Sequence, residues 1–170
     1  MTELLDIYDI NRTKTGRLHE RGKPLAKGDY NLIVNVWKYN SKGEWLIDKR
    51  TARYGNHMDG KWETTGGAAI AGDDSLAAAL RETKEELGID LDPEKGILYL
   101  SEAPKPELGH LAFMDIWVFE YDEPIEKIAY DEREVCDAMW ASVDKIREMI
   151  ANGEFLDYSY FDGMIKHFIA

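Results

Sequence analysis

Apolar and polar residues alternate roughly over residues 30–37, the period of a half-buried strand, and Asn40-Ser41-Lys42-Gly43 then supplies turn chemistry before a second apolar run at 44–49. This pattern predicts a hairpin. Residues 51–61, punctuated by Gly55 and Gly60, predict a loop, and residues 62–65 a short extended segment ending at Gly66-Gly67. The period then changes. Leu76, Ala79, Leu80, Thr83 and Leu87 recur at helical spacing between the N-cap candidates Asp73-Asp74-Ser75 and the stop at Gly88. Strand patterns return at 97–101, 110–121 and 139–141. Ser142 is placed to cap a helix running to residue 150, and residues 158–168 predict a last helix that tolerates Gly163. Strands dominate the first two thirds with one helix embedded among them, so the fold class is α+β with a mixed sheet rather than regular βαβ winding.

Residues 1–27 are more polar than the rest of the chain and are expected to be an N-terminal extension packed on a domain of residues 28–170. With 170 residues, 44% hydrophobic and 32% charged, the chain is long enough to bury one core without disulfides. Cys136 is the only cysteine, so an internal disulfide and a multi-cysteine zinc site are excluded, and a buried small side chain is expected there. The formal charge of −12 sets the surface field against phosphate backbones and argues against nucleic-acid polymers as partners. The first sixteen residues lack the apolar core of a signal peptide and no apolar run spans a bilayer, which predicts a cytoplasmic protein with no membrane partner.

At about 100° per residue, Glu82, Glu85 and Glu86 fall in one sector of the predicted helix, about a third of a turn from its apolar stripe. Like charges three or four residues apart destabilise a helix by about 0.2–0.5 kcal/mol per pair, a cost that a bound cation reverses. All-oxygen ligands of this kind suit Mg²⁺ or Mn²⁺ rather than zinc. The alternative is a solvated acidic face, common on exposed helices.

The wider pattern bears on that choice. From Gly67 the chain reads five residues, Asp73, seven residues, then Arg81-Glu82-Thr83-Lys84-Glu85-Glu86-Leu87-Gly88-Ile89. This closely resembles the Nudix box, Gly-x5-Glu-x7-Arg-Glu-aliphatic-x-Glu-Glu-x-Gly-aliphatic. Two positions depart: Asp73 replaces Glu and shortens the reach toward Arg81, and Thr83 replaces an aliphatic residue, its hydroxyl able to bond a carbonyl one turn back.

The resemblance implies an α/β/α sandwich with a loop-helix-loop catalytic motif. It also implies a pyrophosphohydrolase that cleaves a nucleoside diphosphate linked to another group, or a similar small organic diphosphate. Glu82, Glu85 and Glu86 match the box's metal-binding positions, Glu82 also that of the general base in some members, and Arg81 the box arginine. Relatives recruit a further carboxylate downstream, for which Glu132 and above all Glu134 are candidates. Arg50, with Lys49 and Arg53 nearby, is the candidate for substrate phosphate, together with the glycine that opens the box, Gly67. Trp62 and Trp140 are weighed as base-stacking platforms against core roles, and His57 and His110 as surface or core residues. A homodimer is compatible with the sequence.

Two rival functions remain. Residues 37–50 and 62–65 also resemble isopentenyl-diphosphate isomerase, a Nudix-fold enzyme, yet its catalytic cysteine falls on Gly67 and its metal-binding histidines on Ala69 and Asn31. A non-catalytic Nudix-fold binding module is the other, and degenerate boxes of that kind lose carboxylates that this chain keeps.

Overall fold

The computed structural model describes residues 2–53 and 55–169. Met1 and Ala170, at the ends of the expected domains, and Tyr54 of the 51–61 loop lie outside them. The described elements are β1 (Leu4–Tyr8), β2 (Lys14–Glu20), β3 (Asn31–Tyr39), β4 (Trp45–Arg50), β5 (Trp62–Glu63), β6 (Thr65–Ala68), α1 (Ser75–Leu87), β7 (Ile97–Glu102), β8 (Ala112–Glu120), β9 (Val135–Ala141), α2 (Val143–Ala151) and α3 (Phe161–Phe168). β1 and β2 form a separate antiparallel hairpin, and the other seven strands form one mixed sheet. At its centre β3 runs parallel to β8 over its whole length, from Asn31 opposite Ala112 to Tyr39 opposite Glu120.

Strand alternation sorts the central residues onto two faces. Leu32, Val34 and Val36 pack with Ala78 and Ala79 of α1, whereas Trp37, Trp45 and Ile116 pack with Ile146 and Met149 of α2 and Met164 and Ile165 of α3. Helices therefore cover both faces of the mixed sheet, as expected for an α/β/α sandwich. α1 is held at both ends: Asp74 Oδ1 accepts the Ala77 N–H at 2.8 Å, and Gly88, at φ 69°, closes the C-terminus by donating its N–H to Lys84. A side chain at Gly88 would also meet the Ala129 carbonyl oxygen at 2.8 Å.

Several expectations need correction. Gly66 and Gly67 lie inside β6 rather than after it, paired with Asn35 and Val34. β9 starts four residues earlier than residue 139, at Val135, because it pairs with all of β4. α3 starts at Phe161, since Tyr158 enters the aromatic cluster around Trp37 before the helix begins. Cys136 is exposed, facing away from the buried Val135 side of β9, and is not a core residue. No helix among the described residues is long and apolar enough to cross a membrane.

The N-terminal segment docks through Leu5, Ile7 and Tyr8, which are buried, and through a backbone bridge between Tyr8 and Tyr30. Its turn residue Arg12, at φ 63°, reaches the fully buried Asp115 of β8 with a two-pronged ion pair. Burial pushes the Asp115 carboxyl up, but hydrogen bonds from Arg12, Ser101 and Ser75 overcome this and hold it below its ordinary value. Arg12→Ala keeps a Cβ at the same left-handed φ while removing the guanidinium, so the loss belongs to the side chain's contacts: the ion pair with Asp115, the hydrogen bond to Ser101 and the approach to the Phe113 ring. It should destabilise the protein by about 1.5–3 kcal/mol at neutral pH. Because the native carboxyl is depressed, this stabilisation is present above the ordinary value of 3.8 and fades as pH falls below it. Denaturant titrations of wild type and variant along that pH series should converge toward the acid end.

Candidate active site

α1 buries Ala78, Ala79, Thr83 and Leu87 against the sheet, which carries Glu82 and Glu86 to the flank of that stripe and leaves Glu85 outermost. Thr83 Oγ1 donates to the Ala79 carbonyl at 2.8 Å, so the hydroxyl in place of an aliphatic side chain is satisfied within the helix. Glu82 is 6% exposed. It fits only because Gly67 has no side chain: a Cβ there would lie 2.4–2.5 Å from the Glu82 carboxyl group.

Arg81 ties the motif together. Its Nε donates to Asp73 Oδ2 at 2.9 Å, its Nη1 to Glu82 at 2.9 Å and Glu85 at 3.0 Å, and its Nη2 to the Ala68 carbonyl at 3.0 Å. The shorter Asp73 side chain thus still reaches. The guanidinium also sits between Glu82 and Glu85, offsetting the repulsion expected from the sequence. Burial alone would favour loss of its proton, but Glu82, Asp73 and Glu85 hold it charged.

Beneath α1 lies a group of charges that the motif did not announce. Lys38 and Asp48 are fully buried and Glu63 is 8% exposed. Burial and then Asp48 push the Glu63 carboxyl up to about 8, against the opposing pull of Arg50, whose Nη1 donates to Glu63 Oε1 at 2.7 Å. Glu86 is pushed well up by burial and by Asp48, Glu82 and Glu63, with Lys38 opposing. Burial also raises the Glu82 carboxyl, while Arg81 and the more distant Arg21 pull it down. Each of these carboxyls resists charging first because it is buried, and then because at least one neighbouring carboxylate repels its charge.

Above the buried Lys38, Asp48 and Glu63, one cleft of about 1250 Å³ is lined by Glu82, Glu85 and Glu86 of α1, Gly66 of β6, Arg50 of β4, and Glu134. Arg50 Nε is buried and has no partner among the described residues. Glu134 stands 2.8 Å from Arg53, and the hairpin adds Glu3, Arg21 and Gly22 to the rim. Gly67 acts behind this wall, as the space that Glu82 fills.

Other candidates fall elsewhere. Glu132 is not on the cleft; its carbonyl accepts from Thr51. Lys49 lies over the ring of Trp62, 5.8 Å from its centre, and Trp140 stacks on Tyr121, so neither tryptophan faces the carboxylates. His110 borders a separate cavity of about 210 Å³, beside Ile33 and Met114, which shares no residue with the cleft. Sequence reasoning missed Asp48, Glu63 and Lys38, although a signal exists for two of them. They are charges at inward positions of apolar strands, Lys38 in register with Val34 and Val36, and Asp48 with Leu46.

Among the described residues no three or more acidic, histidine or cysteine side chains already converge as a metal cage. Glu85 is turned to Arg81 and Glu134 to Arg53. The donor chemistry nonetheless fits a hard divalent cation: the ligands are all oxygen, the buried acids outnumber their cationic partners, and Asp48 Oδ1 is buried without a partner.

Residues 29–161 match the family model described as the NUDIX domain. The chain is 31% identical over 164 residues to an uncharacterized Nudix hydrolase of Listeria monocytogenes, covering 95% of this chain and 92% of that protein. It is 27% identical over 157 residues to an isopentenyl-diphosphate Delta-isomerase of Streptomyces avermitilis, covering 89% of this chain and 77% of that one. Among solved structures, a Deinococcus radiodurans protein superposes with a TM-score of 0.75 at 20% identity, covering 97% of this chain and 98% of the other.

The raised carboxyls make the metal-free protein sensitive to alkali. A carboxyl raised by folding binds its proton more tightly in the native state, so stability falls as pH rises from the ordinary 4.5 to about 8 for Glu63. Glu63→Gln keeps an acceptor for Arg50 but removes the titration. Urea denaturation in EDTA, at about pH 5 and about pH 8, should show a smaller loss for the variant than for wild type. Glu86 leaves part of the slope behind, having the same sign.

Proposed function

The chain belongs to the Nudix hydrolase family, whose members act on nucleoside diphosphate derivatives, and from this premise we propose that it is a Mg²⁺- or Mn²⁺-dependent enzyme that hydrolyses the diphosphate linkage of such a small molecule. The observation that carries the proposal is the meeting in one cleft of the three α1 carboxylates, Arg50 and Glu134. In this reading Glu82, Glu85, Glu86 and, by exchange of its partner Arg53, Glu134 hold the divalent ion. The ion's contribution is Lewis-acid neutralisation of the diphosphate's charge.

The chain's own residues do the rest. Arg81 fixes the rotamer of Glu82, which stands in the confined space beside Gly67 and takes the proton of the attacking water. Arg50, held through Nη1 by Glu63, lines the cleft and supplies a fixed positive charge for a phosphate oxygen. The rim arginines add attraction for an anion in a chain that otherwise repels it.

The isomerase relatives favour a second reading, but its chemistry lacks residues here. Position 67 accepts no side chain without displacing Glu82, Ala69 is buried, and the thiol of Cys136 lies on β9 against the Arg50 carbonyl.

Purified protein should release phosphate-bearing products from at least one of ADP-ribose, diadenosine tetraphosphate or coenzyme A with Mg²⁺ or Mn²⁺, and none after chelation. Activity that survives exhaustive chelation refutes the metal-dependent reading. Glu85→Gln should lower turnover about a hundredfold or more, the scale of losing several kcal/mol of transition-state stabilisation. Its effect on metal-free stability should stay within about 1 kcal/mol, since Glu85 is exposed and its pairing with Arg81 is a surface ion pair. Gly67→Ala should fold with a lowered melting temperature yet lose turnover, because its methyl group takes the place of the Glu82 carboxyl.

A further inference from the structure

β8 occupies one edge of β3 along the full length of the strand, so β4 and β6 must share the other edge. Likewise β9 fills one edge of β4, leaving β3 and β5 to share its opposite edge. β3 and β4 are paired only at Lys38–Leu46 and Tyr39–Trp45, and then they splay. The segment from β5 to β6 fills the wedge: it pairs with β4 at Asp48 and Lys49, then with β3 from Val36 onward. The crossing falls at Thr64, whose Oγ1 donates to the Val36 carbonyl at 2.7 Å.

At the apex of this wedge the three strands are joined by side chains. Lys38 Nζ of β3 donates to Thr65 Oγ1 of β6 at 2.6 Å, and that hydroxyl donates to Asp48 Oδ2 of β4 at 2.9 Å. All three residues are fully buried. Such a chain is a poor way to gain stability, since apolar residues of similar volume are often as good or better in a core. What it adds is direction: each bond fixes one strand against another at the point where the backbone ladder changes partner.

Both lips of the cleft hang from this point. Thr65 is followed by Gly66 and by Gly67, the residue whose missing side chain admits Glu82. Asp48 pairs across with Glu63 and lies two residues before Arg50. We infer that the Lys38–Thr65–Asp48 chain is a positioning device for the reaction, setting the seat of the glycine pair beneath Glu82 relative to the Arg50–Glu63 arm. The inference rests on the cleft being the hydrolytic site. Its members are positioning residues and touch no substrate.

Thr65→Val preserves the β-branched shape and removes the hydroxyl, whereas Thr65→Ser keeps it. On whichever of ADP-ribose, diadenosine tetraphosphate or coenzyme A the wild type cleaves, Thr65→Val should lower kcat by about a hundredfold with KM nearly unchanged, the scale of a misplacement of about 1 Å. Thr65→Ser should retain most of kcat. Amide hydrogen exchange of the metal-free proteins supplies the independent measurement: Gly66 and Gly67 should exchange faster in Thr65→Val relative to Val118 of β8, and not in Thr65→Ser. If Thr65→Val does not fold, the apolar combination Lys38→Met, Thr65→Val, Asp48→Leu removes the stranded charges and should show the same losses. The inference is overturned if the folded hydroxyl-free variant keeps wild-type kcat and glycine exchange, or if Thr65→Ser fails as badly as Thr65→Val. If the wild type cleaves none of the three compounds, the proposed function fails, while the exchange pattern still decides whether the chain positions the glycines.

Discussion

Taking a carboxylate out of water is unfavourable unless a partner replaces the lost hydration, and this protein does it repeatedly within one end of a sheet. Glu82, Glu86, Glu63 and Asp48 share that region with Lys38, Arg50 and Arg81. Burial first, and then the slight surplus of acids, raises their proton affinities, so the region resists taking on its full negative charge. Everything else in the architecture serves to keep that surplus in place. Arg81 clamps the helix acids to the preceding loop, Arg50 holds Glu63 at the sheet edge, and the hairpin closes over the rim with Arg21.

Such a region is useful only if its geometry is stiff, and the splayed pairing of β3 and β4 explains how stiffness and access coexist. A regular sheet would close the space between neighbouring strands at their fixed spacing. Here a strand that changes partner holds the wedge open at the cleft and is tied shut at its buried apex. α1, packed through Ala78 and Ala79, can approach the sheet closely because those side chains are small, and at Gly67 the approach becomes contact between a backbone and a carboxylate. The same small residues that make the helix–sheet interface tight therefore also determine where the Glu82 carboxyl stands.

Much of this was legible from the chain. The helix of the motif, its caps at Asp74 and Gly88, the grouping of Glu82, Glu85 and Glu86, and the strands on either side all follow from local periodicity and cap chemistry, which act over a few residues. The Thr83 hydroxyl and its carbonyl partner one turn back are equally local. Family membership follows as well, because the spacing of the box is itself a sequence property.

What the tertiary structure decided is how residues distant in sequence share one space. No local signal tells that Asp73, though shortened, still reaches Arg81, because the answer depends on how the loop from β6 returns to the helix. Glu134 and Glu132 are alike in sequence, yet only the former lines the cleft. The exposure of Cys136 follows from the register of β9 on β4, and the docking of the polar N-terminal segment from Arg12 finding a carboxylate a hundred residues away. Lys38 and Asp48 show in the sequence only as charges at inward strand positions, and Glu63 not even as that; what each bonds to is decided where three strands meet. The reason is common to all of these: periodicity fixes which way a side chain points within its own element, whereas the partner that makes a buried charge tolerable comes from another element, placed there by the packing of the whole.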